Sequence, residues 1–383
     1  VSDAPPRDII EDSEVTAGGT ALLIIDLDAL AANYRRLREL AAPAECAAVV
    51  KADAYGLGMA QIAPALMRAG CRTFFVATLA EAEELRAVLP DAVIYVFSGL
   101  LPGTAEAFRA ARLRPVLNSG EEIREWAGYC SRFGEALPCA VHIDSGMNRL
   151  GLTAADVEAV SGNRALWSAL SLALVMSHLA CADDPVHPKN TAQRHLFDTL
   201  RALLPQSPAS LANSAGILLG ADFVYDLVRP GIALYGGHPQ RRGPNPFRPV
   251  VHLKGRILQV REANPGETVG YGATRTLPRG SRIAIVSVGY ADGLLRTLSA
   301  SDGEPALAVY VGPHPAPVLG RVSMDLIAVD VTDVPAQEAH RGAWVELLGT
   351  NVTAHDLASH AGTIDYEVLT NLGHRAIRCF IGG

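Results

Sequence analysis

The feature that most constrains this chain is a rhythm. Between Ala44 and Gly236 a short β-branched or apolar run is followed by a helical pattern and a turn, again and again. Strands are predicted at 46–51, 73–77, 92–97, 114–117, 140–143, 172–177, 210–212 and 226–228. Helical patterns fall between them at 59–69, 79–88, 104–111, 120–132, 153–160 and 190–204. Alternation of this kind implies a parallel sheet, because parallel strands need long crossover connections. Eight strands fit a (β/α)8 TIM-type barrel better than an open sheet, although the helices of the last two units are short.

After Gly236 the texture changes. Residues 238–249 form a Pro/Arg/Gly-rich linker. Beyond it, strand-like runs at 251–260, 282–287, 306–311, 317–319, 326–331 and 344–348 dominate, with helical patterns at 352–361 and 365–371. The expected organisation is an N-terminal extension over 1–19, a barrel over 20–240 and a C-terminal mostly-β domain over 241–383. The run 21–25 also reads as a strand leading into a helix at 27–40, and either domain can pair it.

Composition narrows the function classes. Hydrophobic residues make up 49% of the 383 and charged residues 19%, enough for a large core and against disorder. A net charge of −7, without a basic run, argues against nucleic acid or an anionic membrane as partner. No apolar run is long enough to span a bilayer. The acidic N-terminus lacks the basic and apolar regions of a secretory signal, so a cytoplasmic protein is expected. The six cysteines form no C-x-x-C pair and lie mostly in apolar stretches, as free thiols do. Eleven scattered histidines without H-E-x-x-H spacing give no metal site.

The chemistry begins where an apolar strand runs straight into a lysine: Ala47-Ala48-Val49-Val50-Lys51. In a parallel barrel the C-terminal strand ends carry the active site. Apolar walls there lower a lysine's pKa by desolvation, and a neutral amine is what Schiff-base chemistry requires. Tyr55, Gly56 and Gly58 follow at a turn before a helix, a setting suited to an anion. Taken alone, a strand-end lysine is more often a surface residue with its stem lying on the protein. A dinucleotide fingerprint is ruled out by Gln61 at the third glycine position, and a Walker loop lacks its Gly-Lys-Ser/Thr.

The run Val49-Val50-Lys51-Ala52-Asp53-Ala54-Tyr55-Gly56-Leu57-Gly58 closely resembles the pyridoxal-phosphate lysine motif of alanine racemases, enzymes of fold type III. It is not alone. Asp144-Ser145-Gly146-Met147-Asn148-Arg149-Leu150-Gly151 resembles the family's arginine motif, and Arg229-Pro230-Gly231-Ile232-Ala233-Leu234-Tyr235-Gly236 its eighth-strand motif. Val269-Gly270-Tyr271-Gly272-Ala273-Thr274, Gly289-Tyr290-Ala291-Asp292-Gly293, Gly320-Arg321-Val322-Ser323-Met324-Asp325 and Ile364-Asp365-Tyr366-Glu367 resemble motifs of its C-terminal domain. The resemblance spans nearly the whole chain, in order.

The resemblance implies a pyridoxal 5'-phosphate enzyme that interconverts L- and D-alanine with two bases. Lys51 would hold the cofactor as a Schiff base and serve one face of the substrate Cα, and Tyr271 the other. A phenol is a poor base at neutral pH unless positive charge stabilises its phenolate, and Arg149 and His178 are the candidates for that help. Arg229 would face the pyridine nitrogen and keep it unprotonated; the bland reading pairs it with Asp226. His178 would pack beside the ring, although a satisfied core histidine is the alternative. Tyr55, Asn213, Ser214, Gly231, Ile232 and Tyr366 would hold the phosphate. Arg149 and the backbone N–H of Met324 would hold the substrate carboxylate, with Tyr290 at the pocket mouth. A homodimer with shared active sites is implied, because the family's equivalent of Tyr271 reaches the other subunit.

Two positions depart from the family pattern. His142 stands seven residues before Arg149, where many members carry a carbamylated lysine that positions the arginine. Arg149 then finds another acceptor, shares the space with an anion such as chloride, or sits more loosely. Ser210 replaces a common histidine, which alters the support of Arg229. A serine or broad-specificity racemase would use the same residues. A non-catalytic pyridoxal-phosphate carrier would need only a bare barrel, and a decarboxylase would want a carboxylate in place of Arg229.

Overall fold

The computed structural model describes residues 18–383, so the extension read over 1–19 lies, except for Gly18 and Gly19, outside the described residues. The chain forms two units, one of residues 30–248 and one of residues 18–29 with 249–382.

In the first unit seven short parallel strands lie side by side in chain order: Ala48–Val49, Thr73–Val76, Val93–Val96, Arg114–Leu117, Pro138–His142, Ser171–Met176 and Ala209–Ser210. An eighth, Leu227–Val228, pairs in parallel with Glu45–Cys46, just upstream of the first. Its neighbours Asp226 and Arg229 donate to the carbonyls of Ala209 and Ala212 at 3.0 and 2.9 Å, and this closes the ring. The eight-stranded barrel expected from the rhythm is therefore the fold of this unit. Its strands read as continuous apolar runs because both faces are covered: all four residues of Thr73–Val76 are buried.

Local chemistry sets where the barrel helices start and stop. Thr78 accepts the N–H of Glu81 while Glu81 accepts that of Thr78, a capping box that opens helix Leu79–Val88. Helix Gly120–Phe133 starts on the Ser119 hydroxyl and ends at Gly134, whose φ of 75° suits a residue without Cβ. Helix Leu27–Ala41 sends Tyr34 Oη to the Cys46 carbonyl at 3.0 Å, bracing the first strand.

In the second unit eight strands follow the order Ser281–Val286, Ile327–Asp330, His314–Leu319, Ala308–Val311, Trp344–Leu348, Val251–Ala263, Ala21–Asp26 and Ile377–Ile381. The long strand Val251–Ala263 pairs with Trp344–Leu348 and also with Ser281–Val286, so six antiparallel strands close on themselves. The early strand whose partner the sequence left open pairs here, antiparallel to Val251–Ala263 and parallel to Ile377–Ile381. The last of these strands and the small hairpin of Thr268–Val269 with Arg275–Thr276 are not visible as sequence patterns.

All six cysteines are free thiols, four of them buried. Among the described residues no helix is long and apolar enough to cross a membrane, and no group of three or more His, Cys, Asp or Glu is placed to hold a metal ion.

Trp126 anchors helix Gly120–Phe133 to the barrel. It is fully buried, edge-on to Phe108 with ring centroids 6.2 Å apart, and stacked on Tyr129. Trp126→Ala is expected to lower stability by roughly 3–5 kcal/mol. The drop is read from the urea midpoint, and a loss below about 1 kcal/mol would mean that the neighbours collapse into the space.

Candidate active site

Five predicted site segments begin where a barrel strand stops. Lys51 follows Ala48–Val49, the Asp144 loop follows Pro138–His142, and His178 follows Ser171–Met176. Asn213 follows Ala209–Ser210, and Arg229 follows Leu227–Val228. Parallel strands have all their C-terminal ends on one side, so these residues share one end of the barrel.

Lys51 is half-buried, with Nζ 5.9 Å from the centroid of the Phe97 ring. Desolvation, then the Arg149 charge, push its amine below the ordinary lysine range, while Glu81 opposes them. The chain has three lysines, Lys51, Lys189 and Lys254. The residues after Lys51 differ from the simple turn expected there. Ala52, Asp53, Ala54 and Tyr55 all lie in the left-handed region, with φ between 51° and 59°. For L-residues this costs roughly 1–2 kcal/mol each, so the surroundings must impose it. The Ala52 N–H donates to Glu81 Oε1 at 2.8 Å, and the Met59 N–H to Asp53 Oδ1 at 2.7 Å. Sequence reading missed Glu81, which a helical pattern presents only as a capping residue.

The left-handed turn buries Tyr55 against Tyr235, with centroids 4.6 Å apart. The Tyr55 hydroxyl then meets the eighth-strand motif: a Cβ built on Gly231 would run into the end of the Tyr55 ring. A side chain at that position would have to displace the buried tyrosine. The buried Ser214 hydroxyl accepts the N–H groups of Gly231 and Ala233 at 2.9 and 3.3 Å. Asn213 Oδ1 accepts the Gly216 N–H at 2.8 Å, which fixes the short turn that presents Ser214. Ile232 is fully buried beside them. Tyr55, Asn213, Ser214, Gly231 and Ile232 are thus brought together into one corner rich in hydroxyl and N–H groups.

Arg229 is 2% exposed and meets neutral oxygens only. It donates to Ser210 Oγ, to the Ser177 carbonyl at 2.5 Å and to the Leu211 carbonyl at 3.5 Å. Asp226 is engaged elsewhere, accepting the Ala209 N–H at 2.7 Å, so the bland ion-pair reading fails. Burial pushes the Arg229 guanidinium down from its ordinary value. Ser210, in the place of the family's histidine, is itself the support: it accepts from Arg229 and donates to the Leu227 carbonyl at 2.6 Å. His178 is held by its carbonyl, which accepts from Gln193 Nε2 at 2.9 Å. Burial, then Arg229, Arg149, His142 and Lys51, keep its imidazole well below the usual histidine range.

His142 is buried, with Nδ1 2.9 Å from Asn118 Oδ1. Asn118 Nδ2 donates to the Phe97 and Val116 carbonyls, which orients the amide and makes Nδ1 of His142 the donor. Its Nε2 is then a bare acceptor. Burial and the two arginines push the imidazole down to about 4, so a neutral ring stands where the family often places a carbamate. The loop that follows is pinched at its base, the Leu152 N–H donating to the His142 carbonyl at 2.8 Å. Inside it, Asp144 accepts the N–H groups of Gly146, Met147 and Asn148. Arg149 sits exposed at the tip.

The remaining predicted residues lie in the second unit. Tyr271 projects from a turn between Gly270 and Gly272, both with positive φ, and is 71% exposed. The Tyr290 N–H donates to the Ser323 carbonyl and the Ala291 N–H to that of Met324, each at 3.0 Å, so Tyr290 and Met324 occupy adjoining loops. Arg375 ties these loops together, bridging buried Asp292 and Asp325. Tyr366 stands on helix Asp365–Thr370, which leads to Asn371, whose carbonyl abuts Gly293.

The family model for the alanine racemase N-terminal domain matches residues 25–239, and that for the alanine racemase C-terminal domain residues 250–380. An alanine racemase of Methylobacterium sp. (strain 4-46) is 53% identical over 361 residues, which is 94% of this chain and 98% of its own. The crystal structure of alanine racemase from Bartonella henselae with covalently bound pyridoxal phosphate is similar, with a TM-score of 0.89 at 41% identity over 94% of this chain and 99% of that one. Biosynthetic alanine racemase from Pseudomonas aeruginosa gives 0.86 at 35% identity, over 95% and 100%. With its two units, its strand-end lysine and both family models in register along it, the chain belongs to the alanine racemase family.

Proposed function

We propose that this chain interconverts L-alanine and D-alanine with pyridoxal 5'-phosphate, Lys51 and Tyr271 serving opposite faces of the substrate Cα. The observation that carries the reading is the barrel end around Lys51. An amine held down by desolvation, a guanidinium resting on neutral oxygens and a cradle of hydroxyl groups closed by Gly231 stand at one end of one barrel. They fit the aldehyde, ring nitrogen and phosphate of the cofactor. When bound, that cofactor supplies an electron-withdrawing ring that acidifies the Cα–H of an attached amino acid.

The chain's own residues divide the remaining work. Lys51 anchors the cofactor and exchanges a proton on one face of Cα, and Tyr271 on the other. Arg229 would donate to the ring nitrogen and keep it unprotonated, since its guanidinium gives up a proton reluctantly. Tyr55, Asn213, Ser214, Gly231, Ile232 and Tyr366 would hold the phosphate, and His178 would pack beside the ring. Arg149 and the Met324 N–H would hold the substrate carboxylate, with Tyr290 at the mouth. In this reading the cofactor-binding domain is the barrel expected over 20–240, less its first strand, which pairs in the second unit, and the second unit carries the second base.

A homodimer with shared active sites belongs to the same proposal, a second copy supplying Tyr271. Tyr271, Tyr290, Met324, Leu326, Ile364 and Tyr366 are all large, apolar-bodied and exposed in the second unit, as surfaces awaiting a partner are. Free thiols support a reducing, cytoplasmic setting, and production of D-alanine for biosynthesis is the proposed role.

Purified protein with pyridoxal phosphate is expected to convert L-alanine to D-alanine, followed by chiral chromatography with L-serine run in parallel. Tyr271→Phe is expected to lower kcat by roughly 100- to 10,000-fold, and Lys51→Ala to abolish turnover. Serine outpacing alanine would change the substrate and keep the residues; cofactor binding without turnover of either would favour a carrier. His142 adds a pH dependence. Its folded value of about 4 lies below the ordinary 6.5. The unfolded chain binds more protons between those values, so stability falls as pH drops from 6.5 towards 4, by at most about 3 kcal/mol. Urea midpoints at the two ends of that window should converge in His142→Gln relative to the parent; an equal fall in both would remove His142 as the cause.

A further inference from the structure

We propose that Glu81 is a positioning residue for Lys51, stapling the left-handed turn that the lysine begins and so holding its amine where the cofactor is met. This rests on the reading of Lys51 as the lysine that anchors pyridoxal phosphate.

Four consecutive non-glycine residues in the left-handed region do not stay there on local preference. Asp53 tolerates that conformation better than most residues, but Ala52 and Ala54 do not favour it: alanine is a right-handed helix former. Hydrogen bonds therefore help to hold it, and two carboxylates supply some of them. Asp53 Oδ1 takes the Met59 N–H at the far side. Glu81 works at the near side with both oxygens. Oε1 accepts the Ala52 N–H at 2.8 Å, one residue after the lysine. Oε2 accepts the N–H groups of Ala77 and Thr78 at 2.7 and 3.3 Å. One carboxylate thus ties the end of the first barrel strand to the end of the second and to the start of helix Leu79–Val88.

The comparison within the chain sharpens the point. The capping boxes at Thr153 and Thr353 use Asp156 and Asp356, whose carboxylates take up the N–H and hydroxyl of their own N-cap threonine. At Thr78 the third helical residue is a glutamate, one methylene longer, and the extra reach is directed at the lysine's turn. Its negative charge also opposes the desolvation that drives the Lys51 amine towards neutrality. Without the staple the turn samples other conformations. The fraction of molecules competent for the cofactor falls, and the apparent Kd rises in proportion.

The test uses the full chain. Glu81→Gln keeps the side chain's size but turns an NH2 group towards one set of N–H donors. Spectrophotometric titration with pyridoxal phosphate gives Kd, and amide hydrogen exchange of cofactor-free protein reports residues 52–55. Asp156→Ala serves as the control, removing a capping box that does not touch the turn. Glu81→Gln is expected to raise Kd roughly 10- to 100-fold and to speed exchange at 52–55. Asp156→Ala is expected to lower the thermal midpoint with Kd unchanged. Adding Ala52→Gly to Glu81→Gln should recover much of the affinity, because glycine adopts the left-handed region without a Cβ penalty. An unchanged Kd in Glu81→Gln, or a loss that Ala52→Gly does not relieve, overturns the staple. Borohydride reduction of the parent holoenzyme followed by peptide mapping separates the two readings. A label on Lys189 or Lys254 overturns the role of Lys51 and the staple with it, whereas an unchanged Kd overturns the staple alone.

Discussion

Burial of basic side chains at one end of the barrel is the constraint on which the rest depends. Desolvation is the leading push on Lys51, His142, His178 and Arg229. Arg149 adds to it at Lys51 and at both imidazoles, and Arg229 at the two imidazoles. The outcome separates by residue type. The amine and the imidazoles are driven towards neutrality, and positive charge is left to guanidinium groups, which keep it best. Such a site suits an anionic cofactor and an amino-acid carboxylate, and it shifts the amine towards the neutral form that covalent attachment needs. Parallel strand order makes this possible, because every strand delivers its last residue to the same end.

Much of the fold was legible because periodicity and burial agree. The barrel strands read as short apolar runs, being covered on both faces, and the helices between them kept an apolar stripe and cap residues at the expected places. The run into Lys51 was legible for the same reason. Other features were not. Ile377–Ile381 lacks alternation, all its residues being partly buried, and exists as a strand because it pairs with Ala21–Asp26 at the other end of the chain. The left-handed turn after Lys51 is invisible locally, since its sequence favours a right-handed helix and the deciding hydrogen bond comes from Glu81, 29 residues away. The tautomer of His142 depends on Asn118, 24 residues earlier.

The two departures from the family pattern have physical consequences that sequence alone left open. Ser210 is too short to replace an imidazole in shape, yet its hydroxyl accepts from Arg229 while the Ser177 carbonyl completes the cradle. The arginine therefore keeps acceptors and stays buried. At His142 the change is larger, because a neutral acceptor has replaced an anion. Arg149, exposed at the tip of its loop, gains position from the Asp144 carboxylate, which accepts backbone N–H groups inside that loop. Rigidity at this barrel end thus rests on carboxylates that take up backbone N–H groups, at Asp53, Glu81 and Asp144, together with the hydroxyl groups of Ser210 and Ser214.

The most direct test of the central claim is the fate of the Cα proton during the first conversions in D2O. L-alanine is given to the holoenzyme, the reaction is stopped while little D-alanine has formed, and both enantiomers are separated and their deuterium content measured. Two bases on opposite faces predict D-alanine that carries deuterium at Cα from the start, beside L-alanine that still carries protium. D-alanine retaining the original protium would mean that one base carries the proton across, and would contradict the division of labour between Lys51 and Tyr271.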